Sequence, residues 1–331
     1  MKYIFSTYIF TAFFLLAFTA CQNDESGTAD QSRQAVRLSF AVDGVKVSPS
    51  RGTVPDDYYT SDNLGKVAII LQQTSGVADH APSAPSYNYA PAQWSKNSEG
   101  TWGAVDADAA NVLLWKTGSA TDTHEVLRFI AYAPHDTDKV TTEGNYDNFS
   151  VAADQTLAAD RLASDLVFYE AQAGNDGKIT VAPATAISLA HKMCRLSVTL
   201  TTRNEFGSNG VSVSTVSVKG VLPSHSQGAA ATTIFSDETE TILGEKSTSR
   251  AFIFAQGEQT LTLEMKATNL LTGQSHTYTL PLAKKTFSAG TQYNLTVYLG
   301  KDKVELSKDG ITITPWTKWE PQNGEENLET D

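Results

Sequence analysis

The chain has 331 residues, of which 40% are apolar and 19% charged, with a net charge of −12. That length suits about two domains with enough apolar material for a core in each, and low charge with frequent Thr, Ser and Val points to a β-rich extracellular protein. The acidity argues against a nucleic-acid partner, because phosphate binding needs a basic face.

The N-terminus reads as a targeting segment. Lys2 supplies a positive charge, an apolar run extends from Tyr3 to Phe18, and Phe18-Thr19-Ala20-Cys21 follows. Small residues before a cysteine admit a signal peptidase, and the pattern resembles a bacterial lipobox, with Phe18 where Leu is usual. The expectation is a signal peptide at 1–20, lipidation (palmitate) at Cys21 and a tether at 21–35 whose acyl chains hold the mature protein at the cell outer membrane. An uncleaved anchor or an ordinary secretory signal is the alternative; the run is shorter than the roughly 20 residues a spanning helix needs. Asn23-Asp24-Glu25 resembles a surface-export signal of Bacteroidetes. Lipidation of Cys21 leaves Cys194 alone, so no intramolecular disulfide or cysteine metal site is available, and Cys194 reads as a small core residue.

Period-two alternation begins at Val36, Leu38, Phe40 and Val42, which predicts a strand. Ser48 to Asp57 is a loop of turn formers containing Arg51. The more continuous run Lys66–Gln72 predicts a central strand buried on both faces. Ser75 to Pro91 reads as an exposed insertion, and Trp94, Trp102 and Trp115 flank short strands around a turn at 106–111. A further strand is predicted at Arg128–Pro134, with the best helical candidate at Asp154–Ala163. Ile187 to Leu200 follows, split by the step His191-Lys192-Met193. Beyond it come Val211 to Val218, Ala251 to Phe254, Leu261 to Met265 and Tyr278 to Leu282. The chain closes with Tyr293, Leu295, Val297 and Leu299 on one strand face, a turn at Lys308-Asp309-Gly310, and a short strand through Ile311 and Ile313 to Pro315 and Trp316. Two successive antiparallel sandwiches are the economical solution, with a boundary near Pro183 to Ile187: 36–185, then 186–319, then a polar tail at 320–331.

Motifs for chemistry are missing from this pattern. The six histidines show no metal-ligand spacing, and no nucleophile elbow or phosphate loop occurs. His191, inside an apolar strand pair, reads as a hydrogen-bonded structural residue. Asp106, Asp108 and Asn111 read as a polar turn, because the other positions of a calcium loop are missing. No catalytic residue, metal or cofactor is assigned, and nothing nominates a carboxylate pair for glycoside hydrolysis.

Four segments carry a resemblance: RFIAYAP at 128–134, DLVFY at 165–169, ISLAHKMCRLSVTL at 187–200, and SAGTQYNLTV at 288–297 followed by ITITPW at 311–316. In their order and spacing they resemble the fimbrillin family, the secreted pilin-like lipoproteins of Bacteroidetes. The resemblance implies an all-β fold of two tandem transthyretin-like, Greek-key β-sandwiches and a non-enzymatic role as a fimbrial (pilus) subunit or adhesin at the outer-membrane surface. It implies other fimbrillin subunits and host or bacterial surface ligands as partners. It also implies an arginine-specific protease that cuts after Arg51 and frees the leader together with the first strand. The open groove would then accept a strand from a neighbouring subunit, and head-to-tail repetition yields a filament. The tail after Trp316 lacks apolar alternation, so the donor candidates are Val304, Leu306, Ile311 and Ile313. The alternative is a surface glycan-binding lipoprotein in which Trp94, Trp102, Trp115, Tyr87 and Tyr89 stack on sugars.

Overall fold

The computed structural model describes residues 35–43, 57–73, 91–105, 112–115, 123–171, 173, 177–182, 184–202, 205–244, 246–301 and 303–315. Cys21, Arg51, Tyr87, Tyr89, the 106–111 turn and the tail from Trp316 lie outside them.

The protein is an all-β sandwich protein and, among the described residues, has one short α-helix, α1 (Ala158–Ser164). The N-terminal half holds β1 (Arg37–Val42), β2 (Lys66–Gln73), β3 (Ala92–Lys96), β4 (Trp102–Ala104), β5 (His124–Ala133), β6 (Val167–Glu170), β7 (Ile179–Val181) and β8 (Ala184–His191). They form one sheet in the order β1-β8-β6-β5-β2-β3-β4, with β7 beside β5. The sheet curls until its two ends meet: Phe40 of β1 packs edge-on against Trp102 of β4, ring centroids 5.0 Å apart. Sheet membership changes at Lys192. Beyond it lie β9 (Met193–Thr202), β10 (Val211–Val221), β11 (Thr232–Ser236), β12 (Glu240–Ile242), β13 (Ser247–Ala255), β14 (Gly257–Gln259), β15 (Thr262–Asn269), β16 (Ser275–Pro281), β17 (Lys285–Phe287), β18 (Thr291–Leu299) and β19 (Val304–Pro315). One layer runs β11-β10-β15-β16, with β12 on β10, and the facing layer runs β13-β9-β18-β19.

The continuous apolar runs of β2 and β5 follow from their position between two cores. Val67, Ile69, Leu71, Phe129 and Ala131 point into the N-terminal core with the buried face of β1. Ala68, Ile70, Ile130 and Tyr132 point the other way, into the core of the C-terminal sandwich. A strand buried on both faces has no reason to alternate.

Two pairs run parallel, β1 with β8 and β9 with β18, which alternation does not specify. The helix begins later than its apolar spacing predicts, at Ala158 instead of Asp154. Residues 153–155 are already committed to a strand-like contact: Phe235 N–H donates to Ala153 O at 2.9 Å and Gln155 N–H to Phe235 O at 2.8 Å. The closing hairpin also differs. Its connector lies at Gly300–Lys303, where Gly300 N–H donates to Lys303 O at 2.8 Å. Lys308-Asp309-Gly310 turns within β19 itself, because the register steps from Val297↔Leu306 to Leu295↔Ile311. Four residues there oppose Thr296, and Gly310 adopts φ +62°, open to glycine without strain. The odd excess would flip Ile311 and Ile313 to the other face in a straight strand; because the extra residues turn aside, Val304, Leu306, Ile311 and Ile313 all stand opposite core-facing residues of β18.

The fully buried side chain of Gln155 substitutes for a strand neighbour. Its Oε1 accepts Ile253 N–H at 2.7 Å and its Nε2 donates to Ile253 O at 2.7 Å, satisfying both backbone groups at the free edge of β13. Gln155→Leu keeps the size but leaves both groups unpaired and buried. The expected cost is about 1–3 kcal/mol for each group, read as a lower urea midpoint with an unchanged slope.

Candidate functional site

The alternation of β1 gives it a face that is almost wholly enclosed: Val36, Leu38, Phe40 and Val42 are 5 or 6% exposed, while Arg37 and Ser39 lie in solvent. Burial of side chains of this size stabilises by about 1.5–3 kcal/mol each. The backbone is held less completely. Along one edge β1 pairs with β8, from Arg37↔Ala184 to Val42↔Leu189, and Asp43 N–H continues the pairing to Leu189 O at 2.7 Å. The other edge is fastened near its ends. Val36 N–H donates to Leu113 O at 3.0 Å, and Ser61 Oγ accepts Val42 N–H at 3.0 Å and donates to Val42 O at 3.2 Å. Removing β1 together with Val36 just before it would therefore leave four apolar slots and the open edge of β8. That is a groove shaped for an alternating strand.

After β1 the chain passes through 44–56, which contains Arg51, and reappears at a buried ion cluster. Asp57 Oδ2 accepts from Arg195 Nη2 of β9 at 2.9 Å and from Arg161 Nε of α1 at 3.3 Å. Arg195 Nη1 also donates to Gln292 Oε1 of β18 at 2.5 Å, and the guanidinium lies 4.8 Å from the Tyr58 ring centroid. Arg161 Nη1 donates to Gln155 O at 2.6 Å and Thr156 O at 2.9 Å. Burial alone would raise the Asp57 carboxyl, but the charges and hydrogen bonds of Arg195 and Arg161 outweigh it and hold the group below the ordinary carboxylate value. A second pair lies nearby: His191 Nδ1 and Asp165 Oδ1 are 2.9 Å apart and buried, and Asp165 Oδ2 accepts Tyr59 N–H at 2.8 Å. Both clusters fasten the 57–59 segment to the seam between the halves, and both serve architecture. Sequence reasoning identified His191 as structural but missed Asp57, Arg161 and Arg195, whose partners are 104 and 138 residues away from Asp57.

The closing strand β19 is an edge, paired with β18. Val304, Leu306 and Ile311 are half-buried against the C-terminal core, and Ile313 is 56% exposed. The tryptophans are placed differently from a sugar-stacking platform. Trp94 and Trp102 are buried, and Trp115 is fully buried with its ring stacked on His124 at 4.2 Å. Burial removes these three faces from any glycan. Cys194 is enclosed, with its thiol pushed up by burial and donating to Ser288 O at 3.2 Å. Among the described residues no group of acidic, His and Cys side chains is arranged to hold a metal, and no helix is long and apolar enough to cross a membrane.

A fimbrillin-like family profile matches residues 60–316, most of the chain. The chain belongs to the fimbrillin-like family. Among solved structures, a candidate cell adhesion protein from Bacteroides ovatus matches with a TM-score of 0.58 at 12% identity, over 88% of this chain and 100% of its own. One from Bacteroides uniformis matches at 0.48 and 15% identity, over 86% and 98%. A fimbrial assembly protein from Parabacteroides distasonis matches at 0.41 and 11%, over 85% and 99%. At such identities the first likeness concerns the fold alone. No curated protein matches the chain. The matched span of this fimbrillin-like chain takes in the ion cluster side of the seam except Asp57 to Tyr59, and leaves β1 outside.

The ion cluster gives a pH prediction. A carboxyl held below its unfolded value contributes stability that is present above about pH 4 and is lost as pH falls through the folded value. Asp57→Asn should cost about 3–5 kcal/mol at neutral pH, since it strands buried arginines. The variant should also lose less further stability than the wild type between pH 5 and 2, measured by urea unfolding across that range. Parallel curves for the two proteins would exclude Asp57 as a contributor to acid sensitivity.

Proposed function

We propose that this fimbrillin-like chain is a fimbrial subunit or pilus-associated adhesin of the outer-membrane surface, assembled by strand exchange once β1 is removed. The observation that carries the reading is the asymmetry of β1: four enclosed apolar side chains on a strand paired along one edge, joined to the body through the 44–56 segment. Cys21 is the lipid site and Arg51 the maturation site, cut by an arginine-specific protease. The two sandwich domains, expected at 36–185 and 186–319, act as units that divide at Lys192, which keeps β8 in the N-terminal sheet. Partners are other fimbrillin subunits, the membrane through the lipid, and surface ligands of host or bacterial cells. The neighbours described as cell adhesion and fimbrial assembly proteins agree in kind. A structural role without catalysis fits a chain whose buried ionic groups are engaged in holding its halves together.

The donor is β19, an edge strand whose apolar residues are only half covered at home and gain burial in a neighbour's groove. Its bulge sets a condition. In a straight strand Val304 and Leu306 lie on the face opposite Ile311 and Ile313, so one donor fills all four slots only if residues 307–310 stay looped out.

Digestion of the chain lacking its leader with an arginine-specific protease tests the reading. The expected result is one cut after Arg51, release of β1, and filaments by electron microscopy over days. Arg51→Ala should stay whole and monomeric. Persistence of the wild type as an uncut, lipid-bearing monomer in cells would assign it an anchoring role and overturn the polymerising one.

A further inference from the structure

Three of the large exposed apolar side chains among the described residues gather at one end of the C-terminal sandwich. Leu243, Leu270 and Leu271 are 44, 43 and 67% exposed. Leu243 follows β12, and Leu270 and Leu271 form the turn from β15 to β16. Gly210 lets the two turns close up: its carbonyl accepts Leu270 N–H at 3.2 Å, and a Cβ there would stand 2.9 Å from Leu243 Cδ2. Beside Leu271 lies a cavity of about 160 Å³ whose lining includes Glu205, Phe206, His276 and Lys301.

This end also carries the connector between β18 and β19. Tyr278 Oη donates to Gly300 O at 2.8 Å and to Lys301 O at 3.3 Å, and Glu205 Oε2 accepts Lys301 N–H at 2.9 Å. The chain is therefore fixed up to Lys301, and a β19 that leaves its sheet swings out from beside the three leucines.

Register decides where a neighbour then sits. β1 runs parallel to β8, and a donor that replaces it in kind runs the same way. The start of the donor, at Val304, lies where Val36 lay. That is the outer end of the N-terminal half, marked by Leu113, the acceptor of Val36 N–H and a buried member of the N-terminal core.

We propose that the Leu243–Leu270–Leu271 end docks on the outer end of the N-terminal half of a second copy, around Leu113, as an end-to-end contact added to the donated strand. The contact rests on the strand-exchange reading. It places an apolar patch beside the mouth of a groove that opens only after β1 has gone, so uncut chains stay apart while cut chains stack.

The test uses the leaderless chain cut after Arg51, with two readouts. A synthetic peptide of residues 303–315 measures groove filling, and light scattering with electron microscopy measures filaments. Leu270→Asp combined with Leu271→Asp should bind the peptide as the wild type does, keep its thermal midpoint, and form filaments at least about tenfold more slowly. A chain carrying Leu271→Cys and Leu114→Cys should cross-link between subunits, whereas Leu271→Cys with Ser61→Cys, at the inner end of the groove, should not. Filaments of the Asp variant at the wild-type rate, or cross-linking through Ser61→Cys instead, would overturn the docking and leave strand exchange standing. A cut wild-type chain that binds the peptide yet stays monomeric would also overturn it. Failure of the peptide to bind the cut wild type would remove strand exchange, and the docking with it.

Discussion

The carboxylate of Asp57 ties the segment that follows the 44–56 connection to α1 and to β9. It receives one arginine from α1 and one from β9, and the β9 arginine reaches on to β18. Taking three charged groups out of water is costly, and the cluster is not fully satisfied, since Asp57 Oδ1 and Arg195 Nε are buried without a hydrogen-bond partner. Such an arrangement adds little to net stability over an apolar filling. Its effect is to select one relative placement, because any other strands buried charge. The sheet shared between the two cores depends on that placement: Ile70, Ile130 and Tyr132 reach the C-terminal core only if the seam is closed.

The cluster also separates two regimes along the chain. On one side is β1, enclosed yet fastened along a single edge. On the other, the 57–59 segment is bonded through its backbone to Asp165 and through its side chains to Arg195 and Arg161. Loss of the first strand frees Ser61 from Val42 but leaves the bonds of the 57–59 segment in place, and β2, which begins at Lys66, keeps its neighbours on both sides.

Much of this was legible in residue order. Alternation located β1 and its buried face, and the unbroken run at β2 reported burial on both sides, whereas the boundary expected near Pro183 to Ile187 falls inside β8, which stays with the N-terminal sheet up to His191. What stayed hidden was set by distant partners. Parallel pairing of β1 with β8 and of β9 with β18 leaves no mark in either strand's own pattern. The helix started late because Ala153 and Gln155 bond to Phe235, about 80 residues on, and local spacing cannot register that. Lys308-Asp309-Gly310 carries real turn chemistry, yet it turns inside a strand, and only the phase of Leu306 against Ile311 distinguishes the two cases. The tryptophans belong to the same class: indoles suit a core as well as a sugar, and burial decides for the core at 94, 102 and 115. The acidic and basic partners of the seam looked like ordinary surface charge.

Gln155 has a consequence for the topology of growth. A sheet with two bare edges can extend at both, and assemblies built from it branch or spread. Here the amide of one glutamine occupies the bonding positions of Ile253 in the middle of β13, and α1 and its approach pack over the same margin. The layer β13-β9-β18-β19 is thus blocked at its first strand and open at its last. One open edge can join one other edge, so this layer pairs once and does not spread into a continuous sheet.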